Sequence, residues 1–198
     1  MKKITFLGIA MFTSVILFAQ QTGLGLKAGL NVSHLQGGEN ALNGSKLGLN
    51  AGLLAHLHIN NTFAIQPEVM YSSQGAKYTN VDGVEHELSL NYINIPLNLQ
   101  YMFQNGFRLQ TGPQVGFLVG VKDKENGTAT NFFSSDDFKS IDFSWTAGVG
   151  YKSASGLGVD ARYNFGISNI NDFGNIERHN SVFQVGLFYM LNTSGTGR

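Results

Sequence analysis

The sequence predicts an all-β fold, an eight-stranded, antiparallel, up-and-down transmembrane β-barrel. Three observations carry this. Apolar and polar residues alternate through eight runs of roughly ten residues, the period of a strand whose two faces meet different surroundings. Charged residues make up 13% of the chain, about half the usual globular share, while the hydrophobic share of 42% is ordinary. The connections between runs alternate long and short, as in barrels with short periplasmic turns and longer outer loops.

The chain of 198 residues opens with Lys2 and Lys3, an apolar run Ile4–Phe18 and a small residue, Ala19. This is the pattern of a cleaved secretory signal peptide over 1–19. The apolar run is shorter than the ~20 residues a spanning helix needs. No later window is long and apolar enough to cross a membrane as a helix, so any crossing must be by strands. With the leader go two basic residues, leaving 11 against 13 acidic ones, a net of −2. That balance gives no basic surface for nucleic acid. The absence of cysteine excludes disulfides, thiolate metal sites and an acylated N-terminal cysteine.

The barrel is expected over 20–191, followed by a small polar tail, 192–198. Leu24–Val32 is the first run, with Leu24, Leu26, Ala28, Leu30 and Val32 on one face. Leu47–Ile59 is the second and ends at Asn60-Asn61, a tight-turn signal. The third, Phe63–Tyr71, contains Pro67, which cannot donate to a ladder and marks a local defect or bulge. The fourth, Leu88–Phe103, alternates from Ile93 to Phe103 and stops at Asn105-Gly106. Its early residues Leu88, Leu90 and Tyr92 are in the opposite phase, which a bulge near Tyr92–Ile93 would reconcile. The fifth run starts at Phe107 and puts Val119 and Val121 on its apolar face; the sixth spans Ile141–Tyr151, the seventh Leu157–Ile167 and the eighth Phe183–Leu191. The long connections are Gln36–Gly44 (36–44), Ser73–Glu87 (73–87), Lys122–Lys139 (122–139) and Ser168–Asn180 (168–180).

A soluble barrel would turn its apolar face inward and put Lys and Glu outside. Here the apolar faces carry almost no charge. The strand charges Lys27, Glu68, Arg108, Asp142, Asp160 and Arg162 lie on the face rich in Gly, Asn and Gln. Aromatic residues recur near run ends, where interfacial girdles belong. The apolar face therefore meets lipid and the polar face lines the lumen.

Three segments resemble a known family, the outer-membrane β-barrel domain of Bacteroidetes often labelled PorT-like. They are YINIPLNLQY (Tyr92–Tyr101), GPQVGFLVG (Gly112–Gly120) and RYNFGISNI (Arg162–Ile170). The resemblance covers roughly the whole mature chain. It implies a small outer-membrane barrel of a Gram-negative bacterium and no single activity; one branch is tied to type IX secretion, a role the resemblance does not imply.

The candidate site residues are Glu68, Arg108, Asp160 and Arg162, all on the predicted inner face. Eight strands enclose a lumen just wide enough for side chains. Charges buried there must pair, so a structural salt-bridge network is expected. His56 and His58 share a face but have no third ligand in view. Asp123, Glu125, Asp136 and Asp137 lack calcium-loop spacing. His34, His86, His179, Ser33, Ser45 and Asp172 lie near outer loops, but no Gly-x-Ser-x-Gly or His-Glu-x-x-His occurs. No cofactor, metal or catalytic residue is assigned. The expected role is a non-enzymatic structural or surface-interaction protein in outer-membrane lipid, meeting an extracellular or envelope protein through its four long loops. The alternative is a narrow channel or an accessory of a transport or secretion system.

Overall fold

The computed structural model describes residues 22–37, 44–79, 83–130, 133–170 and 177–191. The expected signal peptide (1–19), the tail (192–198) and Asp172 lie outside the described residues. Nine strands follow in order: β1 (Thr22–Gln36), β2 (Gly44–His58), β3 (Phe63–Thr79), β4 (Glu85–Met102), β5 (Phe107–Glu125), β6 (Thr128–Thr130), β7 (Ile141–Lys152), β8 (Leu157–Gly166) and β9 (His179–Met190). Eight of them close an antiparallel ring in chain order, with β5 pairing β7 and β9 returning to β1. The ninth, β6, is a short return strand on the end of β5.

The register fixes the size of the ring. Going once round, Thr22 leads to Leu57, Ile65, Leu99, Thr111, Ala147, Tyr163, Phe183 and back to β1 at Val32, ten residues beyond the start. Eight strands with that stagger, at normal strand spacings, tilt by roughly 40° and enclose a backbone radius of about 8 Å. Ten residues along a strand then rise about 25 Å, the height of an outer-membrane apolar band. Leu157 to Ile167 spans that rise.

Within that band the outer face is apolar and exposed: Leu47 is 73% exposed, whereas the inward Glu68 is 1% exposed. This inverts the arrangement of a soluble protein and suits hydrocarbon. Trp145 lies on this face, and its indole N–H donates to Thr111 Oγ1 (2.8 Å). That bond satisfies a donor for which lipid offers no partner.

Short turns close one end. Asn60 Oδ1 accepts from the backbone N–H groups of Thr62 (2.8 Å) and Phe63 (2.7 Å). Asn105 Oδ1 does the same for Phe107 (3.1 Å), and Gly106 takes the left-handed φ of 90° that the turn needs. Ser153 Oγ donates to the Leu157 carbonyl (2.8 Å) in the third turn.

Several expectations for the other end are corrected. The connection placed at 73–87 is mostly strand: β3 continues to Thr79 and β4 begins at Glu85. Likewise β5 runs to Glu125, inside the loop expected at 122–139, and β9 begins at His179, just inside 168–180. Above the lipid band the outward face turns polar, which hides the strand period in the sequence. The bulge expected near Tyr92–Ile93 does not occur. β3 and β4 stay in one register from Phe63↔Tyr101 to Thr79↔Glu85, so no shift marks Pro67 either. Instead Leu88, Leu90 and Tyr92 simply point inward and are fully buried. The bulge is on β5: Asn91 faces Gly120 and Tyr92 faces Leu118, leaving Val119 extra. That extra residue turns Val121 off the lipid face and onto the interior cluster.

A second irregularity lies between β2 and β3, where pairing shifts between Ser45 and Asn50. Side chains from β1 patch it. Asn31 Nδ2 donates to the Ser73 carbonyl (3.0 Å) and Ser33 Oγ to that of Gly75 (2.9 Å). Gly48 belongs to the same seam, since a Cβ there would overlap the Ser73 carbonyl oxygen.

Candidate functional site

The lumen is filled in layers. At its middle, the stagger of the ring brings together strands far apart in sequence. Arg162 on β8 binds Glu68 on β3 in a two-pronged pair, Nη1 to Oε2 (3.0 Å) and Nη2 to Oε1 (2.8 Å). Nη2 also donates to Asp160 Oδ2 (2.8 Å). Lys27 Nζ donates to the same Asp160 oxygen and lies 3.9 Å from Glu68 Oε2. Gln66 Nε2 donates to Glu68 Oε1 (2.8 Å). Two cations and two carboxylates, all at least 96% buried, thus neutralise one another. A forked guanidinium–carboxylate pair is the geometry that best offsets the cost of burying both charges.

Of the four residues picked from the sequence, Glu68, Asp160 and Arg162 meet in this group. Arg108 does not: it makes no ion pair within 4 Å among the described residues. It lies toward the short-turn end, stacked over the Phe188 ring at 5.6 Å, with Nη1 donating to Gln100 Oε1 (3.3 Å). Lys27 takes the place expected of Arg108. It is on the inner face by alternation, but the four chosen charges already sum to zero, so nothing in the sequence called for a fifth.

Above the ionic layer is a ring of amides and hydroxyls. Asn31 Oδ1 accepts from Asn50 (2.6 Å) and Gln184 (3.0 Å); Gln114 donates to Ser144 (2.9 Å). Above that again, Leu35, Ala76, Leu88, Leu90, Tyr92, Phe138 and Ile170 form a buried apolar plug. Phe138 and Ile170 come from segments between strands, so the long-loop end supplies part of its own lid. Below the ionic layer, Leu54, Phe188 and Met190 form a smaller apolar cluster. Two of the segments that carried the family resemblance contribute to this packing: Tyr92 is in the plug, Asn98 contacts Glu68 (3.5 Å), and Arg162 is the hub.

The remaining candidates separate. His56 and His58 meet edge to face at 4.5 Å, and His56 is buried inside rather than at an interface. Asp123 accepts from Thr130 Oγ1 (2.9 Å), and Asp137 caps its own turn through the Ser134 N–H (2.7 Å). Among the described residues no three His or acid groups gather as a metal site. Ser168 gives its hydroxyl proton to Asp142 Oδ1 (2.8 Å), while His179 bonds the Ser168 carbonyl (3.0 Å), so the imidazole does not hold the hydroxyl. His86 stacks on Tyr78 at 4.7 Å, and His34 bonds Gln36 at 3.1 Å.

An open cleft of about 660 Å³ lies at the long-loop end, where β3, β4 and β5 stand above the lipid band. Lys77, Tyr78, Glu85, His86, Glu87 and Lys124 line it, with Lys77 and Glu87 paired at 3.5 Å.

A closed eight-stranded ring, an apolar face turned to lipid and a filled polar lumen define an integral β-barrel of outer-membrane type. The chain belongs to the outer membrane protein beta-barrel domain family, whose model matches residues 18–172. No curated protein matches the sequence. Among solved structures it is similar to Neisserial surface protein A (16% identity, 84% of this chain and 96% of that one, TM-score 0.56). It is also similar to Ail, the attachment invasion locus protein of Yersinia pestis, in complex with the heparin analogue sucrose octasulfate (12% identity, 87% and 100% covered, TM-score 0.53). At these identities the likeness is one of fold.

Proposed function

We propose that the protein is a non-enzymatic surface-interaction barrel that works through its long-loop end and conducts no solute. The observation that carries this is the layered lumen: paired charges fill its middle and an apolar plug lies above them. Chemistry available to a partner is then confined to the loops and the cleft. The signal peptide over 1–19 delivers the chain to the envelope, the long loops face outward, and the short turns face the periplasm. Membership of the PorT-like branch in Bacteroidetes rests on the three segments named above.

Ail was solved with a heparin analogue, which makes a saccharide a reasonable partner class. The present cleft is balanced, with Lys77 and Lys124 against Glu85 and Glu87. It suits a neutral or zwitterionic polar surface, of a glycan or a protein, better than a polyanion.

Planar-bilayer recording of the purified protein is expected to give no steady conductance. A steady current altered by Arg108→Ala overturns the closed-lumen reading. Cells displaying the protein should lose attachment to glycan- or matrix-coated surfaces when Lys77 and Lys124 are both changed to Glu. Attachment that is unchanged on every surface refutes the role of the cleft.

A further inference from the structure

The short-turn mouth of the lumen carries more positive charge than its own residues neutralise. Arg108 on β5 faces Gly150 on β7, and Lys152 is the next inward residue on β7 beyond it. Arg108 is 3% exposed, and its Nε has no hydrogen-bond partner. His56, on β2, is likewise buried, at 2% exposed. Its Nδ1 bonds Gln66 Oε1 (3.3 Å), and Gln66 gives its amide N–H to Glu68. The oxygen of Gln66 is therefore the atom facing His56, so the imidazole proton sits on Nδ1. Nε2 is left as an acceptor, and it too has no partner. Arg108 lies near enough for its charge to act on Lys152, and both lie near enough to act on His56.

The carboxylate that acts on Arg108 is Asp160, which Lys27 and Arg162 already occupy. No other described strand residue at this end is an inward acid. A buried guanidinium beside an ammonium, in a wall of lipid-facing strands, calls for a counter-charge. The forked N–H groups of arginine match an oxyanion, which takes two of them at once.

We propose that this mouth binds one small oxyanion of phosphate type, with Arg108 and Lys152 donating to its oxygens and His56 Nε2 accepting from its hydroxyl. The site lies at the opposite end from the cleft and does not depend on the surface-interaction reading.

The test is the ³¹P line width of inorganic phosphate titrated with the full chain in non-ionic detergent micelles, at constant chloride. The wild-type protein is expected to broaden the line saturably. Arg108→Gln and Lys152→Gln should each reduce that broadening at least tenfold. Lys152 is at the rim and only half-buried, so its variant reports even where Arg108→Gln does not fold. No saturable broadening by the wild type, or equal broadening by the folded Lys152→Gln protein, overturns the assignment.

Discussion

Replacing Glu68 by Gln keeps the shape of the side chain and removes one charge from the centre of the barrel. In the native lumen Glu68 takes two hydrogen bonds from Arg162 and one from Gln66, with Lys27 close by. After the change, Arg162 and Lys27 share Asp160 alone, and the buried group goes from neutral to one net positive charge. Breaking one side of a buried pair costs about 3–5 kcal/mol. The amide oxygen of Gln can still accept one N–H, which places the expected loss near the lower end, about 3 kcal/mol, or roughly a 100-fold fall in the folding constant. Urea unfolding in detergent micelles, followed by fluorescence of the single tryptophan, Trp145, measures this directly. Glu68→Leu combined with Arg162→Met should recover part of the loss, because the apolar pair leaves no unpaired charge. A loss below about 1 kcal/mol for Glu68→Gln, or strictly additive losses in the double change, refutes the view that this pair organises the lumen.

Leu97→Arg places a cation on the lipid face near the middle of the band and should cost about 2–4 kcal/mol in the same unfolding assay. A neutral effect would mean that face is not in hydrocarbon. Leu90→Ala empties part of the plug and should cost about 2–5 kcal/mol without opening a conductance, since the ionic layer below still fills the lumen. Thr111→Val removes the acceptor of the Trp145 N–H and should cost about 1–3 kcal/mol with a shift in the Trp145 emission maximum. Gly48→Val drives a side chain into the Ser73 carbonyl and should abolish the heat-modifiable folded band on cold gels.

How much of this was legible in the sequence depended on whether the two strand faces differed. In the lipid band they do. Leu24 to Val32 and Leu157 to Ile167 could be assigned to their faces from alternation alone, and the scarcity of charge said which face was outside. Above the band the contrast disappears. Lys77, Glu87 and Lys124 are outward on β3, β4 and β5, while Leu88, Leu90 and Tyr92 are inward. A pattern whose polarity inverts part-way along a strand imitates a bulge or a loop. The β5 bulge at Val119 left no mark, because Leu118, Val119 and Val121 are all apolar.

The candidate site divides in the same way. Which charges face inward is a local property, and alternation gave Glu68, Asp160, Arg162 and Lys27 to the lumen. Which of them meet is set by stagger. The ten-residue offset around the ring lifts β3 and β8 against β1 so that Glu68, Asp160, Arg162 and Lys27 reach one level, and leaves Arg108 lower down against Phe188. That offset is the sum of eight strand registers, each fixed by turns, bulges and side-chain fit between separate strands. The sequence by itself therefore determined the barrel, its strand number and its inside and outside, because a period of two is written residue by residue. Only the tertiary structure decided the pairing of charges, the plug and the uncompensated mouth, because each joins residues that the chain alone does not relate.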